Sequence, residues 1–245
     1  MLARRALRAA AGTRLARSAT SRALHCSRPC ASGVWEVEWE RADGTTVPGL
    51  GFGDMLESAN PGVIVVQEWW GITPEIQLQA QKIADDGFRV MVPDLCALPA
   101  PHHHPCRRLS GLRLGPRYRG EVGVDAEEAA HLMDNLDWMG AVEDISSAAD
   151  TLAADGNGEV AVVGFCMGGA LSLASAALVE EIDCAIAFYG IPPKELADMA
   201  TLAKPVQGHF GNQDAMEGFS CPAAVDAREP PAPLWPPCRS PVAVT

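Results

Sequence analysis

The sequence predicts an α/β fold, a mostly parallel sheet flanked by helices, and three observations carry that expectation. Runs of β-branched and small apolar residues at Gly62 to Gln67, Phe88 to Val92 and Val160 to Val163 are each bounded by turn residues, as strands buried on both faces are. Helical patterns alternate with these runs, the order that parallel strand and helix units require. The stretch GFCMGG, residues 164 to 169, then joins one such strand to a helix of small residues, so that Cys166 lies in a strand-to-helix turn. At 245 residues without a fixed-period repeat, the chain has room for one sizeable domain.

Taken in order, Val34 to Arg41 (VWEVEWER) alternates and meets a turn at Asp43-Gly44, which predicts an antiparallel hairpin running to about Phe52. Gly62 to Gln67 is the first buried strand. Pro74 to Asp86 follows as a helix with Thr73 as its N-cap and proline at its first position, and Phe88 to Val92 is the next strand. Two helices are expected over Asp125 to Met139 and Ala141 to Ala154. After the Cys166 strand and a helix over Gly168 to Glu181 come a strand at Cys184 to Tyr189, a short helix from Pro193 and a strand at Pro205 to Phe210. In parallel sheets ligand sites lie at the carboxyl ends of the strands, where Glu68, Asp94, Cys166 and Asp214 fall.

Glycines flanking a central residue by two on each side let a strand turn sharply into a helix and push that central side chain outward. The pattern at Cys166 therefore reads as an elbow presenting a nucleophile. A buried structural cysteine is the plain alternative for the same spacing, and the strand before and helix after weigh against it. Val160 to Val179 carries no charge over twenty residues, long enough to suggest a membrane span. Three glycines at the turn and acidic residues at both ends favour a buried strand and helix instead, and no membrane partner is expected.

The net charge of −12 is unevenly spread: residues 1 to 33 hold seven arginines and no acid, leaving 12 basic against 31 acidic side chains in the rest, a net of −19. Nucleic acid is not expected to bind that body. The leader, rich in Arg, Ala and Ser, reads as an organellar transit peptide over residues 1 to 33, with a mitochondrion favoured over a plastid; a disordered basic N-terminus is the alternative. Of the eight cysteines only Cys166 and Cys184 belong to the regular body, so no disulfide framework is implied. Residues 96 to 117 contain four prolines and four arginines without an acid and are expected to be a disordered insert. Residues 220 to 245 are rich in proline and without periodicity, and they are expected to be a disordered tail, which leaves the fold C-terminally incomplete.

The segments VIVVQEWWG (63 to 71), VPDL (92 to 95), YRGEVG (118 to 123), VAVVGFCMGGAL (160 to 171), AFYG (187 to 190) and GHFGNQD (208 to 214), taken together, resemble the dienelactone hydrolase family of the α/β-hydrolase fold. The resemblance covers about residues 34 to 219 without the insert. It implies a Cys-His-Asp triad hydrolysing esters or lactones, typically small cyclic enol-lactones bearing a carboxylate, with no cofactor. Cys166 matches the nucleophile, Asp214 the triad acid, and Glu68 a carboxylate that interacts with the resting thiol. The backbone amides of Met167 and Trp69 match the oxyanion hole, and Arg119 matches a substrate-carboxylate arginine. A helix N-terminus favours the thiolate by roughly 0.3–1 kcal/mol. A carboxylate about 4 Å away, at an effective dielectric near 20, opposes it by about 4 kcal/mol. The carboxylate is therefore expected to keep the resting thiol protonated.

In the family the catalytic histidine lies beyond the triad acid, after a further helix and strand, and in these 245 residues no histidine follows His209. His209 itself is expected to be a packed strand residue, His131 lies on a helix face, and His102 to His104 point in divergent directions without metal-ligand spacing, so no metal site is expected. The sequence thus leads to a small-molecule ester or lactone hydrolase impaired by the absent histidine. A non-catalytic small-molecule-binding scaffold, or an unproductive gene product of the same fold, is the alternative.

Overall fold

A computed structural model describes residues 25–26, 34–56, 59–95, 125–134, 136–211 and 214. The expected insert, the expected tail and Arg119 lie outside the described residues.

The chain runs β1 (His25–Cys26), β2 (Trp35–Glu40), β3 (Thr46–Phe52), β4 (Gly62–Val66), α1 (Pro74–Asp85), β5 (Arg89–Pro93), α2 (Ala126–Asp134), α3 (Trp138–Ala154), β6 (Val160–Phe165), α4 (Met167–Leu178), β7 (Cys184–Phe188), a single 3-10 turn (Met199–Thr201) and β8 (Val206–His209). These strands form one eight-stranded sheet in the order β1-β2-β3-β5-β4-β6-β7-β8. The hairpin strands pair antiparallel and β3 joins β5 antiparallel; from β5 through β4, β6 and β7 to β8 every pairing is parallel. The expected mostly parallel α/β sheet is present. His25–Cys26, from the arginine-rich leader, add a short antiparallel pairing to Glu38 and Val37.

Alternation along the central strands explains why they carry no polar face. Ile64 and Val66 of β4 point to one side, where Met91, Trp39, Ile145, Leu152, Leu171 and Leu173 pack under α3 and α4. Val63 and Val65 point to the other, against Val90, Val92, Phe52, Ile72 and Ile76 beneath α1. Each such side chain, taken fully from water, contributes about 1.5–3 kcal/mol. The buried Arg89 joins the two ends of this arrangement: its guanidinium donates to the carbonyls of Leu152 (2.6 Å) and Asp155 (3.3 Å) at the end of α3 and of Asn60 (3.1 Å) before β4. A helix C-terminus is where a cation is favoured, which offsets part of the cost of burying it.

Local chemistry sets the boundaries, and in places it moves them from expectation. Thr73 caps α1 through its hydroxyl to Ile76 N–H, with Pro74 at the first position, as the sequence predicts. The break between the next two helices falls earlier than expected, because the Asp137 carboxylate accepts from Gly140 N–H at 3.0 Å and draws Gly140 inside α3. The short helix expected from Pro193 is instead a turn over 194–196 followed by the 3-10 turn, capped by Asp198. The helix after Cys166 begins at Met167 and ends at Leu178, short of Glu181.

Candidate active site

β6 delivers Phe165 to the carboxyl edge of the sheet and α4 starts two residues later, so Cys166 alone carries the change of direction, with φ 56° and ψ −119°. A non-glycine residue in that region costs on the order of 1–3 kcal/mol and persists only when its surroundings hold it. Here they do. Cys166 N–H donates to Phe188 O at 3.0 Å, and its carbonyl accepts from Gly169 N–H at 2.9 Å and Ala170 N–H at 3.2 Å. A side chain on Gly164 would overlap the Gly168 carbonyl, and one on Gly168 would overlap the carbonyls of Gln67 and Val66, so both glycines are dictated by backbone passing against backbone.

The half-buried thiol faces groups from four elements. Burial is the largest influence and pushes the Cys166 thiol up to about 11; the carboxylates of Glu68 and Asp214 push the same way, while the backbone N–H groups of Met167 and Trp69 favour the thiolate. The structure therefore brings five of the residues singled out in the sequence, Cys166, Glu68, Asp214, Met167 and Trp69, into one place. It also corrects the expected balance: the repulsion by Glu68 is present, but loss of water around the sulfur is the largest influence and the Met167 N–H at the helix start comes second, ahead of Glu68. Glu68 and Trp69 follow β4 in a turn closed by Gly71 N–H to Glu68 O (3.1 Å), and the indoles of Trp69 and Trp70 meet edge to face at 5.3 Å. Asp214 is exposed beyond the end of β8.

Sequence reasoning passed over Tyr189. This residue follows β7 at φ 32°, and its hydroxyl donates to Glu68 Oε1 at 2.8 Å. Burial together with the Glu68 carboxylate raises the phenol well above its ordinary range, so it remains a donor. The AFYG motif at the end of a strand was the available signal.

His209 is the packed strand residue that the sequence predicts. Its ring stacks on Phe188 at 4.5 Å, and Phe188 stacks on Phe165 at 4.8 Å, a ladder across β6, β7 and β8. Burial lowers its pKa, and its Nε2 has no hydrogen-bond partner. His131 lies on α2, and His102 to His104 lie outside the described residues. Asp94, the other strand-end carboxylate, is fully buried, with its N–H donating to Pro48 O. Among the described residues no group of three or more His, Cys, Asp or Glu side chains is placed to hold a metal ion, and no helix is long and apolar enough to cross a membrane.

Residues 54–220 match the family model described as the dienelactone hydrolase family. Carboxymethylenebutenolidase 1 of Cupriavidus pinatubonensis is 31% identical over 169 residues, 68% of this chain and 66% of that protein. Carboxymethylenebutenolidase of Pseudomonas putida is 29% identical over 175 residues, 70% of this chain and 68% of that protein. The chain thus spans about two thirds of the length of these curated relatives. Among solved structures, a dienelactone hydrolase-like promiscuous phosphotriesterase from metagenomic libraries superposes with a TM-score of 0.58 at 22% identity, covering 79% of this chain and 74% of that one. A cold-adapted esterase from an Arctic intertidal metagenomic library superposes at 0.51 and 18%, covering 80% and 81%. At such identities these two speak for the fold, that of the α/β hydrolases.

Proposed function

The chain belongs to the dienelactone hydrolase family, and we propose that it hydrolyses a small ester or lactone through a thioester on Cys166. The observation that carries this reading is the strained elbow thiol with two backbone N–H groups, of Met167 and Trp69, turned toward its sulfur. Attack of the thiolate on an acyl carbon moves an electron pair onto the carbonyl oxygen, which those two amides hold as an oxyanion. Collapse expels the alcohol oxygen and leaves an acyl-Cys166 thioester. Release of the acyl group then needs water activated by a positioned base, a contribution of roughly 10² to 10⁴ in rate. These 245 residues hold no histidine after His209, so a polypeptide of this sequence alone should acylate faster than it deacylates. Asp214, the match to the triad acid, would orient that base, and Arg119, the match to the substrate-carboxylate arginine, would favour an acidic lactone.

The test follows nitrophenol release from p-nitrophenyl acetate beside intact mass, for this chain and for Cys166→Ser. One burst of at most one equivalent, with an acetyl group on Cys166 and none on the variant, is expected. Because the thiol titrates near 11, the burst rate should rise about tenfold per pH unit between roughly pH 7 and 9. No reaction at any pH would favour the binding scaffold. Sustained turnover would show that water is activated without the family's histidine and would overturn the expected stall.

A further inference from the structure

Among the described residues two non-glycine positions have positive φ, Cys166 at 56° and Tyr189 at 32°, and they are neighbours in space. Strain of this kind collects at working sites and needs surroundings that enforce it. Around Tyr189 the enforcement comes from three sides. Its N–H donates to His209 O at 2.7 Å, the carbonyl before it accepts from Cys166 N–H, and the next residue, Gly190 at φ 121°, lies so close to the Cys166 carbonyl that a side chain there would overlap it. The backbone that fixes the thiol also fixes the phenol. From that fixed base the hydroxyl reaches Glu68 Oε1 at 2.8 Å, across 121 residues of sequence.

Packing alone would be served equally by phenylalanine. The hydroxyl adds a donor to a carboxylate that otherwise has every reason to leave. Glu68 is half-buried beside a thiol that also faces Asp214, and two carboxylates near one sulfur repel each other as well as the thiolate. A neutral donor holds an anion in such a place without neutralising it, which an arginine or lysine would do. We propose that Tyr189 is a positioning residue whose hydroxyl fixes the Glu68 carboxylate beside Cys166 and thereby sets the reactivity of the thiol. The inference rests on the hydrolase reading only for what the thiol is used for.

Removing the hydroxyl frees the carboxylate to turn to solvent, which withdraws negative charge from the sulfur. The groups facing the thiol are Glu68 after β4, Asp214 after β8, Tyr189 after β7 and the Met167 and Trp69 amides, and Asp214 is left unchanged in every variant below.

The experiment measures iodoacetamide labelling of Cys166 by peptide mass against pH, in the full chain, for wild type, Tyr189→Phe, Glu68→Gln, Glu68→Asp and the double variant Glu68→Gln/Tyr189→Phe. Tyr189→Phe should label about tenfold faster at pH 8, its profile moved about one unit down, the lower end of what an adjacent like charge produces. Glu68→Gln should do the same, and adding Tyr189→Phe to it should change nothing further. Glu68→Asp, too short to keep both contacts, should also accelerate labelling while leaving the tyrosine in place, which covers the case in which Tyr189→Phe does not fold. A Tyr189→Phe profile superposing on wild type, an effect that persists in the Glu68→Gln background, or a Glu68→Asp profile like wild type would overturn the proposal. Labelling shifts without any acyl adduct from p-nitrophenyl acetate would keep Tyr189's role and sink the hydrolase reading; the converse would do the opposite.

Discussion

Two carboxylates in this molecule, one buried and one half-buried, are held in opposite ways. Asp144 on α3 is fully buried and meets a cation: Arg41, at the end of β2, donates to its Oδ1 at 2.5 Å, to Gly140 O at 2.8 Å and to Glu143 at 3.3 Å. Beside it Trp39 Nε1 donates to Ser147 Oγ at 2.9 Å. This cluster sews the hairpin to α3 on unstrained backbone. Glu68 is held by a neutral hydroxyl, faces a thiol, and lies where the backbone leaves its ordinary conformations at both Cys166 and Tyr189. Neutralised charge on relaxed backbone is what a fold uses to join its parts. Charge left unneutralised beside a nucleophile, on strained backbone, costs stability and is explained by chemistry.

The comparison breaks most visibly at the elbow glycines. Gly168→Ala would drive a methyl group into the backbone carbonyls of Gln67 and Val66, neither of which can turn aside as a flexible side chain would. We expect a loss of more than about 4 kcal/mol, beyond ordinary overpacking and a large part of a typical domain's stability. Urea unfolding would read it, and a variant as stable as wild type would mean that the β6 to α4 turn is looser than its geometry implies.

At the hairpin the corresponding cut is Arg41→Met. Asp144 already titrates near 6, raised by burial and only partly restrained by Arg41. Without the cation it goes neutral rather than staying charged, so the cost is bounded. Protonating it at pH 7 takes about 1.4 kcal/mol, and with the lost hydrogen bonds the total should be about 2–3 kcal/mol. The loss should shrink at pH 5, where the proton is easier to supply. An equal loss at both pH values would show that Asp144 stays ionised.

The two clusters were not equally legible in the sequence. Glycine spacing around Cys166 is a local rule, so the turn, its strand and its helix could be placed from six residues. The pairing of Tyr189 with Glu68 is not local, because nothing in the spacing of residues 121 apart tells which hydroxyl will reach which carboxylate. Arg41 and Asp144, 103 apart, escaped for the same reason. The order of influences on the thiol was misjudged because charge can be counted along a sequence whereas loss of water depends on packing. The helix break at Asp137 was missed for a smaller reason, since a glycine at 140 looks like a terminus until the cap three residues earlier is seen. The alternation of buried strands and helices needed no such detail, and the sheet follows it.

The smallest effect isolates what the charge on Asp144 contributes. Asp144→Asn keeps an acceptor for Arg41 and avoids burying a full charge, so at pH 7 it should leave stability within about 1 kcal/mol of wild type. The sign of the pH dependence decides the matter. In the folded chain Asp144 titrates near 6 against the ordinary 3.8, so between those values the folded state binds more protons than the unfolded one. This group therefore favours folding increasingly as pH falls from 6 toward 4, and its contribution is lost as pH rises through 6. Comparing wild type with Asp144→Asn cancels the other carboxylates, and the wild type should gain no more than about 2 kcal/mol on the variant between pH 7 and pH 4.5. A gain of the opposite sign would mean that Arg41 holds Asp144 below its ordinary value, and the hairpin pair would then be a stabilising ion pair rather than a tolerated one.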